Sequence, residues 1–302
     1  MKVEYILKLL PRSLVNEINL ERLGELEEIR VRVNRNTIFR YDGEEVVSNF
    51  VPNEEALISM LQMFCENSIY SYQSQICNGF VTIFGGHRVG VTGNIAMRDG
   101  KISNINYISS LNIRIAKEII GAANKIIKYV FDEEDGRLKI CNSLIISPPG
   151  YGKTTVLRDL TRQISNMNFN VSLIDERGEI AAMYKGVPQN DVGLRCDVMD
   201  NVTKSLGMKI AVRTMCPDVI IADEIGTSDD INAINYGICS GVKGIFTAHA
   251  SSIDELILNE NLNKLYNQKI MQSLIFLGRL GRVKKVYILS QNMYKIVNEK
   301  ME

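Results

Sequence analysis

Hydrophobic and polar positions change period along this chain, and the change divides it. Near the start, Ile6, Leu9 and Leu10 recur at helical spacing, and Leu14 and Ile18 continue the pattern after Pro11, so residues 1 to about 25 read as helical. From Glu28 to Val33 the period falls to two: Ile29, Val31 and Val33 alternate with Arg30 and Arg32, the mark of a strand with one buried face. Ile38 to Val47 carries Asp42-Gly43 in its middle and predicts a hairpin. Asn53 stands where a helix cap is needed, ahead of an apolar stripe of Leu57, Met60, Leu61 and Phe64. Gly79 to Ile115 is rich in β-formers and has a second turn signal at Asp99-Gly100. A helix is expected over Ile119 to Phe131, followed by the polar run DEEDGR, where a domain boundary is placed: 1–132 an α+β domain, 133–302 a second domain.

Past that boundary, short apolar runs alternate with helical stretches. Strands are expected over 140–146, Val171–Asp175, Val219–Asp223 and Gly244–Ala248. Helices are expected from Thr155 to about Met167, over Val198–Thr214, from Asp229 and from Ser252, and a small strand pair over Arg282–Val297. Strands separated by helices imply a parallel sheet covered on both faces.

The chemistry begins at Leu144–Thr155, LIISPPGYGKTT. An apolar strand, a Pro/Gly turn and Lys-Thr at a helix start are what a phosphate-binding loop requires. In such a loop successive backbone N–H groups and the helix N-terminus face the phosphate oxygens. The loop residues Pro149, Gly150, Tyr151, Gly152, Lys153, Thr154 and Thr155 are therefore candidates for nucleotide binding, with Lys153 on the β- and γ-phosphates and the Thr154 hydroxyl on Mg²⁺. Ser147 takes the place of the customary opening glycine, a small residue where the chain only has to turn out of the strand.

The partner of such a loop is a carboxylate at the end of a neighbouring parallel strand. PDVIIADEIG, Pro217 to Gly226, supplies Asp223 for Mg²⁺ through water and Glu224 to orient or deprotonate the attacking water. VSLIDERGEI ends another apolar strand in Asp175 and Glu176. One of these acids helps hold the water or the metal, or they form an ion pair with Arg177. His249 in FTAHA ends a fourth strand, where it either senses the γ-phosphate or serves structure. There is no base-reading N-K-x-D motif and no G-x-G-x-x-G at a helix start, which argues against a GTPase and a dinucleotide enzyme.

The order of these segments resembles the RecA-like ATPases of the type II/type IV secretion superfamily: SPPGYGKTT, then LIDERGEI, IIADEIG and GIFTAHA. EIRVRVNR, GHRVGVTGNI and LNIRIAKEI narrow the resemblance to a sporulation family of endospore-forming bacteria. The resemblance implies an α/β fold with a RecA-like P-loop NTPase core behind a smaller α+β N-terminal domain, and ATP with Mg²⁺ as cofactors. It makes Glu224 the Walker B glutamate and His249 the box histidine, and offers Arg88, Arg114 and Arg213 as arginines acting on the phosphates. It also implies a homo-hexameric ring in the mother-cell cytoplasm, working with membrane proteins of a sporulation channel complex.

Composition adjusts this picture little. The 302 residues are 45% hydrophobic and 23% charged, ordinary for a globular chain, with formal net charge +0. Neutrality and the lack of an aromatic-basic stretch count against the first alternative, an ATPase driven by nucleic acid. Intact Asp223 and Glu224 count against the second, a nucleotide-gated scaffold without turnover. Six scattered cysteines without a C-x-x-C pair argue against zinc or a disulfide framework. Glu4 and Pro11 argue against a signal peptide, and no apolar run reaches the ~20 residues needed to cross a bilayer.

Overall fold

Pro11 and Asn19 break the opening helical stretch into pieces: α1 (Lys2–Leu9), α2 (Arg12–Val15) and a 3₁₀ turn over Leu20–Glu25, whose first amides bond to the Asn19 side chain. The structure, a computed structural model, describes residues 2–299. It separates into two units. Unit one comprises Met1–Lys117 and Ala182–Asn190; unit two comprises Glu118–Ala181 and Asp191–Glu302. The boundary expected after residue 132 lies inside the second unit's residues.

In unit one the alternating stretch becomes β1 (Leu26–Arg32), followed by β2 (Arg35–Tyr41) and β3 (Glu44–Val47). Asp42 and Gly43 both take positive φ at the hairpin turn, 46° and 85°, as a tight two-residue turn demands. Helix α3 (Glu54–Phe64) starts where Asn53 accepts from the Ala56 N–H at 2.9 Å. After α4 (Gln73–Cys77) come β4 (Phe80–Ile83), β5 (His87–Arg98) and β6 (Lys101–Arg114). The antiparallel sheet runs β3-β2-β1-β6-β5-β4. Ile29, Val31, Val89 and Ile113 from its strands pack with Leu57, Met60, Leu61 and Phe64 of α3, the stripe that the sequence predicts.

Residues 182–190 belong to the same unit. Tyr184 donates to Glu66, Lys185 pairs with Glu66 at 2.5 Å, and Gly85 N–H donates to the Gln189 side chain at 2.8 Å.

Unit two opens with a correction. The stretch expected to be a helix over 119–131 is a series of turns, with one 3₁₀ turn at Ile127–Tyr129. Gly121 adopts a left-handed φ of 87°, and the buried Asp159 carboxylate takes the Ala123 N–H at 2.8 Å, so a competing acceptor replaces the helical one. The hairpin β7 (Phe131–Glu134) and β8 (Arg137–Ile140) follows.

The central sheet then forms from β9 (Ser143–Ile146), β10 (Val171–Asp175), β11 (Cys196–Asp200), β12 (Val219–Ala222), β13 (Lys243–Ala248), β14 (Ser273–Leu277), β15 (Val283–Ser290) and β16 (Met293–Glu299). Its order is β11-β10-β12-β13-β9-β14-β15-β16. The pairs from β11 to β14 are parallel, and the last two strands are antiparallel additions. Three expectations change. Residues 198–200 lie in an edge strand rather than a helix, because Asn201 turns left-handed at φ 54° before the helix starts. The apolar run Ser273–Leu277 is a sheet strand that the sequence reading omits. The C-terminal strand pair extends the main sheet.

Helices α5 (Lys153–Asn166), α6 (Lys204–Thr214), α7 (Ser228–Cys239), α8 (Ile253–Leu258) and α9 (Glu260–Asn267) complete the unit. Leu144, Ile174, Ile220 and Phe246, on one sheet face, form a core with Met208 and Ala211 of α6 and Ile231 and Ile234 of α7. The alternate positions, Ile145, Leu173, Ile221 and Ile245, are fully buried on the other face, where α5 crosses β10 and β11. Burial on both faces explains why these strands read as continuous apolar runs. Parallel strands all end at one edge, so the segments after β9, β10, β12 and β13 are gathered there.

Candidate nucleotide site

At that edge the chain leaves β9 through Ser147 and Pro148 and turns at Gly150 and Gly152, with φ of 77° and 90°. A Cβ on Gly150 would meet nothing within 4 Å, so the glycine there answers a backbone conformation rather than a lack of space. Gly152 caps α5, whose first residue is Lys153.

Lys153 is 5% exposed. Its ammonium donates to the Ser147 carbonyl at 2.8 Å and the Pro148 carbonyl at 3.2 Å, and lies 2.9 Å from His249 Nδ1. Burial lowers the Lys153 pKa from its ordinary value, while the nearby Asp223 and Glu224 carboxylates pull it upward. The Thr154 hydroxyl, one residue on, donates to Asp223 Oδ2 at 2.7 Å. Asp223 also accepts from the Thr247 hydroxyl, and that same hydroxyl accepts the Glu224 N–H at 2.8 Å. Glu224 follows β12 in a left-handed conformation, φ 53°, which turns it out of the strand direction. One of its carboxylate oxygens is 2.9 Å from His249 Nε2, the other 2.5 Å from the Arg177 guanidinium.

The sequence reading leaves Asp175 and Glu176 as equal candidates, and their surroundings differ. Asp175 is 3% exposed, and its two oxygens accept backbone N–H groups from Glu179, Ile180 and Ala181 at 2.8–3.2 Å. It folds the following loop. Glu176 is partly exposed and pairs with Lys204 at the start of α6. Arg177 pairs with Glu224, the acid that follows the neighbouring strand β12.

Arg213 is not brought to this edge. It stands in the last turn of α6, over the Tyr236 ring, and the chain from there enters β12 at its amino end, opposite the phosphate loop. Arg88 and Arg114 belong to unit one, where they face each other in the β5–β6 register. Arg88 lies over the Phe80 ring, and Arg114 stands opposite Glu28.

The residues suit a Mg²⁺-nucleotide. A buried ammonium held by carbonyls and an imidazole favours an anionic ligand. The Thr154 hydroxyl and the Asp223 carboxylate are the hard oxygens that Mg²⁺ takes when it shares its shell with phosphates. Among the described residues no cluster of three or more His, Cys, Asp or Glu could enclose a metal by itself, so a metal here would complete its shell from a ligand and water. Sequence reasoning missed two contributors. Thr247 ties Asp223 to Glu224, and its only signal was its place beside His249 at a strand end. The loop after β14 touches Tyr151, and the apolar run SLIFL before a glycine could have indicated it.

An eight-stranded, mostly parallel sheet with this loop and these strand-end acids defines a RecA-like P-loop NTPase fold. The solved structures agree on the fold: the ATPase DotB of Legionella pneumophila superposes with TM-score 0.58 at 13% identity, covering 96% of this chain and 80% of that one. The pilus retraction motor PilT, with bound ADP, gives 0.58 at 15% identity, covering 93% and 82%. The chain belongs to the family described as sporulation stage III, protein AA, whose sequence profile matches residues 1–294. It is similar to the stage III sporulation protein AA of Bacillus subtilis (strain 168), 34% identical over 293 residues, which is 93% of this chain and 94% of that protein. Among the described residues no helix is long and apolar enough to cross a membrane.

Proposed function

We propose that this chain binds ATP with Mg²⁺ at residues 149–155 and hydrolyses it to ADP and phosphate. The observation that carries the reading is the 2.7 Å bond between the Thr154 hydroxyl and Asp223, with Lys153 beside it and Glu224 next in sequence. Thr154 and Asp223 would hold Mg²⁺, which supplies charge neutralisation to the phosphates. Lys153 exchanges the Ser147 and Pro148 carbonyls for phosphate oxygens. Glu224 orients the attacking water and accepts its proton; both of its oxygens are engaged here, so its pair with Arg177 or with His249 opens first. His249 touches both Lys153 and Glu224 and so couples occupancy of the loop to the position of the base.

The wider reading follows the family and the fold neighbours. Copies of the chain assemble in a ring, proposed as a hexamer. Arg88 and Arg114 act on phosphate, and turnover energises or assembles a membrane complex between mother cell and forespore. The ATPase works from the cytoplasm of the mother cell, through membrane proteins of the sporulation system. Isothermal titration of Lys153→Ala with Mg-ATP tests the core of this proposal. Binding is expected to fall at least about a hundredfold, the loss of a charge-assisted contact to phosphate. Undiminished affinity would remove the loop from its role.

A further inference from the structure

The two flanks of β9 are chemically unlike. On one side lie β13 and β12, which bring His249, Asp223 and Glu224 to the loop, so the metal and terminal-phosphate end of a nucleotide is fixed on that side. The ribose and base must then extend the other way, and the strand on that flank is β14.

The loop after β14, Gly278-Arg279-Leu280-Gly281-Arg282, is fastened to the phosphate loop. Gly281 N–H donates to the Tyr151 carbonyl at 2.7 Å. The backbones approach so closely that a Cβ on Gly152 would stand 3.3 Å from Gly281 N, and one on Gly281 would stand 2.7 Å from Val156 Cγ2. Gly278 N–H donates to the Arg282 carbonyl at 2.7 Å and closes the loop on itself. At the apex Leu280 holds φ 57°, a left-handed conformation that a bulky side chain avoids, and is 84% exposed. A leucine kept in solvent by a disfavoured backbone costs free energy on both counts, and strain of this kind collects at ligand sites. The flat face of a nucleobase would remove that side chain from water.

We propose that residues 278–282 form the nucleobase-side wall of the site, with Leu280 packed on the face of the base. This rests on the nucleotide reading above and adds to it the segment that separates a nucleotide from a bare polyphosphate.

The test compares Mg-ATP with inorganic triphosphate, which lacks sugar and base, by titration calorimetry on the wild-type chain, Leu280→Asp and Leu280→Met, with thermal melts to show that each variant is folded. Wild type should bind ATP more tightly than triphosphate. Leu280→Asp should weaken ATP about tenfold, the effect of losing one buried aliphatic contact, and leave triphosphate unchanged. Leu280→Met, which keeps an apolar side chain, should stay within about twofold of wild type. The proposal is overturned if Leu280→Asp leaves ATP binding intact or weakens both ligands alike. Equal wild-type affinity for the two ligands overturns it while sparing the phosphate loop; failure to bind either ligand removes the nucleotide reading itself.

Discussion

Asp175 and Glu176 stand side by side at the end of β10, yet one accepts backbone amides and the other pairs with a lysine. The two carboxylates are therefore expected to respond differently to substitution. Asp175→Ala leaves the N–H groups of Glu179, Ile180 and Ala181, the last two buried, without this acceptor, at a cost of about 3 kcal/mol. Urea unfolding of this variant should show a lowered midpoint. An unchanged midpoint would contradict a folding role for Asp175. Glu224 shows the same principle. Its identity as an acid was legible from IIADEIG, but its pairing with Arg177 was not. A guanidinium at position 177 reaches an acid brought in from the neighbouring strand, and only the sheet order puts that acid within range.

At the scale of elements, the segments that read correctly were those whose own residues settle them. Asn53, the turns at Asp42-Gly43 and Asp99-Gly100, and the doubly buried strands β10 and β12 carry their signals locally. The helix expected over 119–131 failed for a reason held elsewhere, in Asp159 of α5. That carboxylate accepts from Ala123 N–H at 2.8 Å, from Arg162 at 2.7 Å and from Gln163 at 2.7 Å. Burial alone would raise its pKa, but these donors outweigh burial and hold it below its ordinary 3.8. A lowered native pKa means that the carboxylate stabilises the fold fully above 3.8, and that the stabilisation drains away as pH falls below it towards the native value. Asp159→Ala should thus cost about 3–5 kcal/mol near neutrality, the penalty of removing one partner from a buried charged network. The difference from wild type should shrink in acid. Urea titrations at several pH values check this; a penalty that grows on acidification would contradict the assignment. Arg213, offered by the resemblance, is placed by its element rather than by its nearness in sequence to β12: α6 runs against the strands and delivers its last turn to the far edge.

Across the whole molecule, the backbone passes between the two units at 117/118, 181/182 and 190/191. The second and third passages bracket a segment that follows directly on the amides held by Asp175. The chain thus links the loop after β10, at the edge of unit two where the parallel strands end, to a strap that folds with unit one. The sequence could not announce this. Residues 182–190 contain no strong period, and their partner Glu66 is more than a hundred positions away. What the sequence did carry was the order of the four strand-end boxes, because a phosphate loop, a metal-side acid and a water-side acid must meet at one edge of a parallel sheet. The central claim is that this edge hydrolyses ATP, with Glu224 serving the water. Phosphate release from Mg-ATP by the wild-type chain, measured beside Glu224→Gln at saturating nucleotide, tests it most directly. Steady turnover by wild type and a loss of at least about a hundredfold in the variant, with ATP still bound, is the expected result. Equal rates in the two proteins would contradict it.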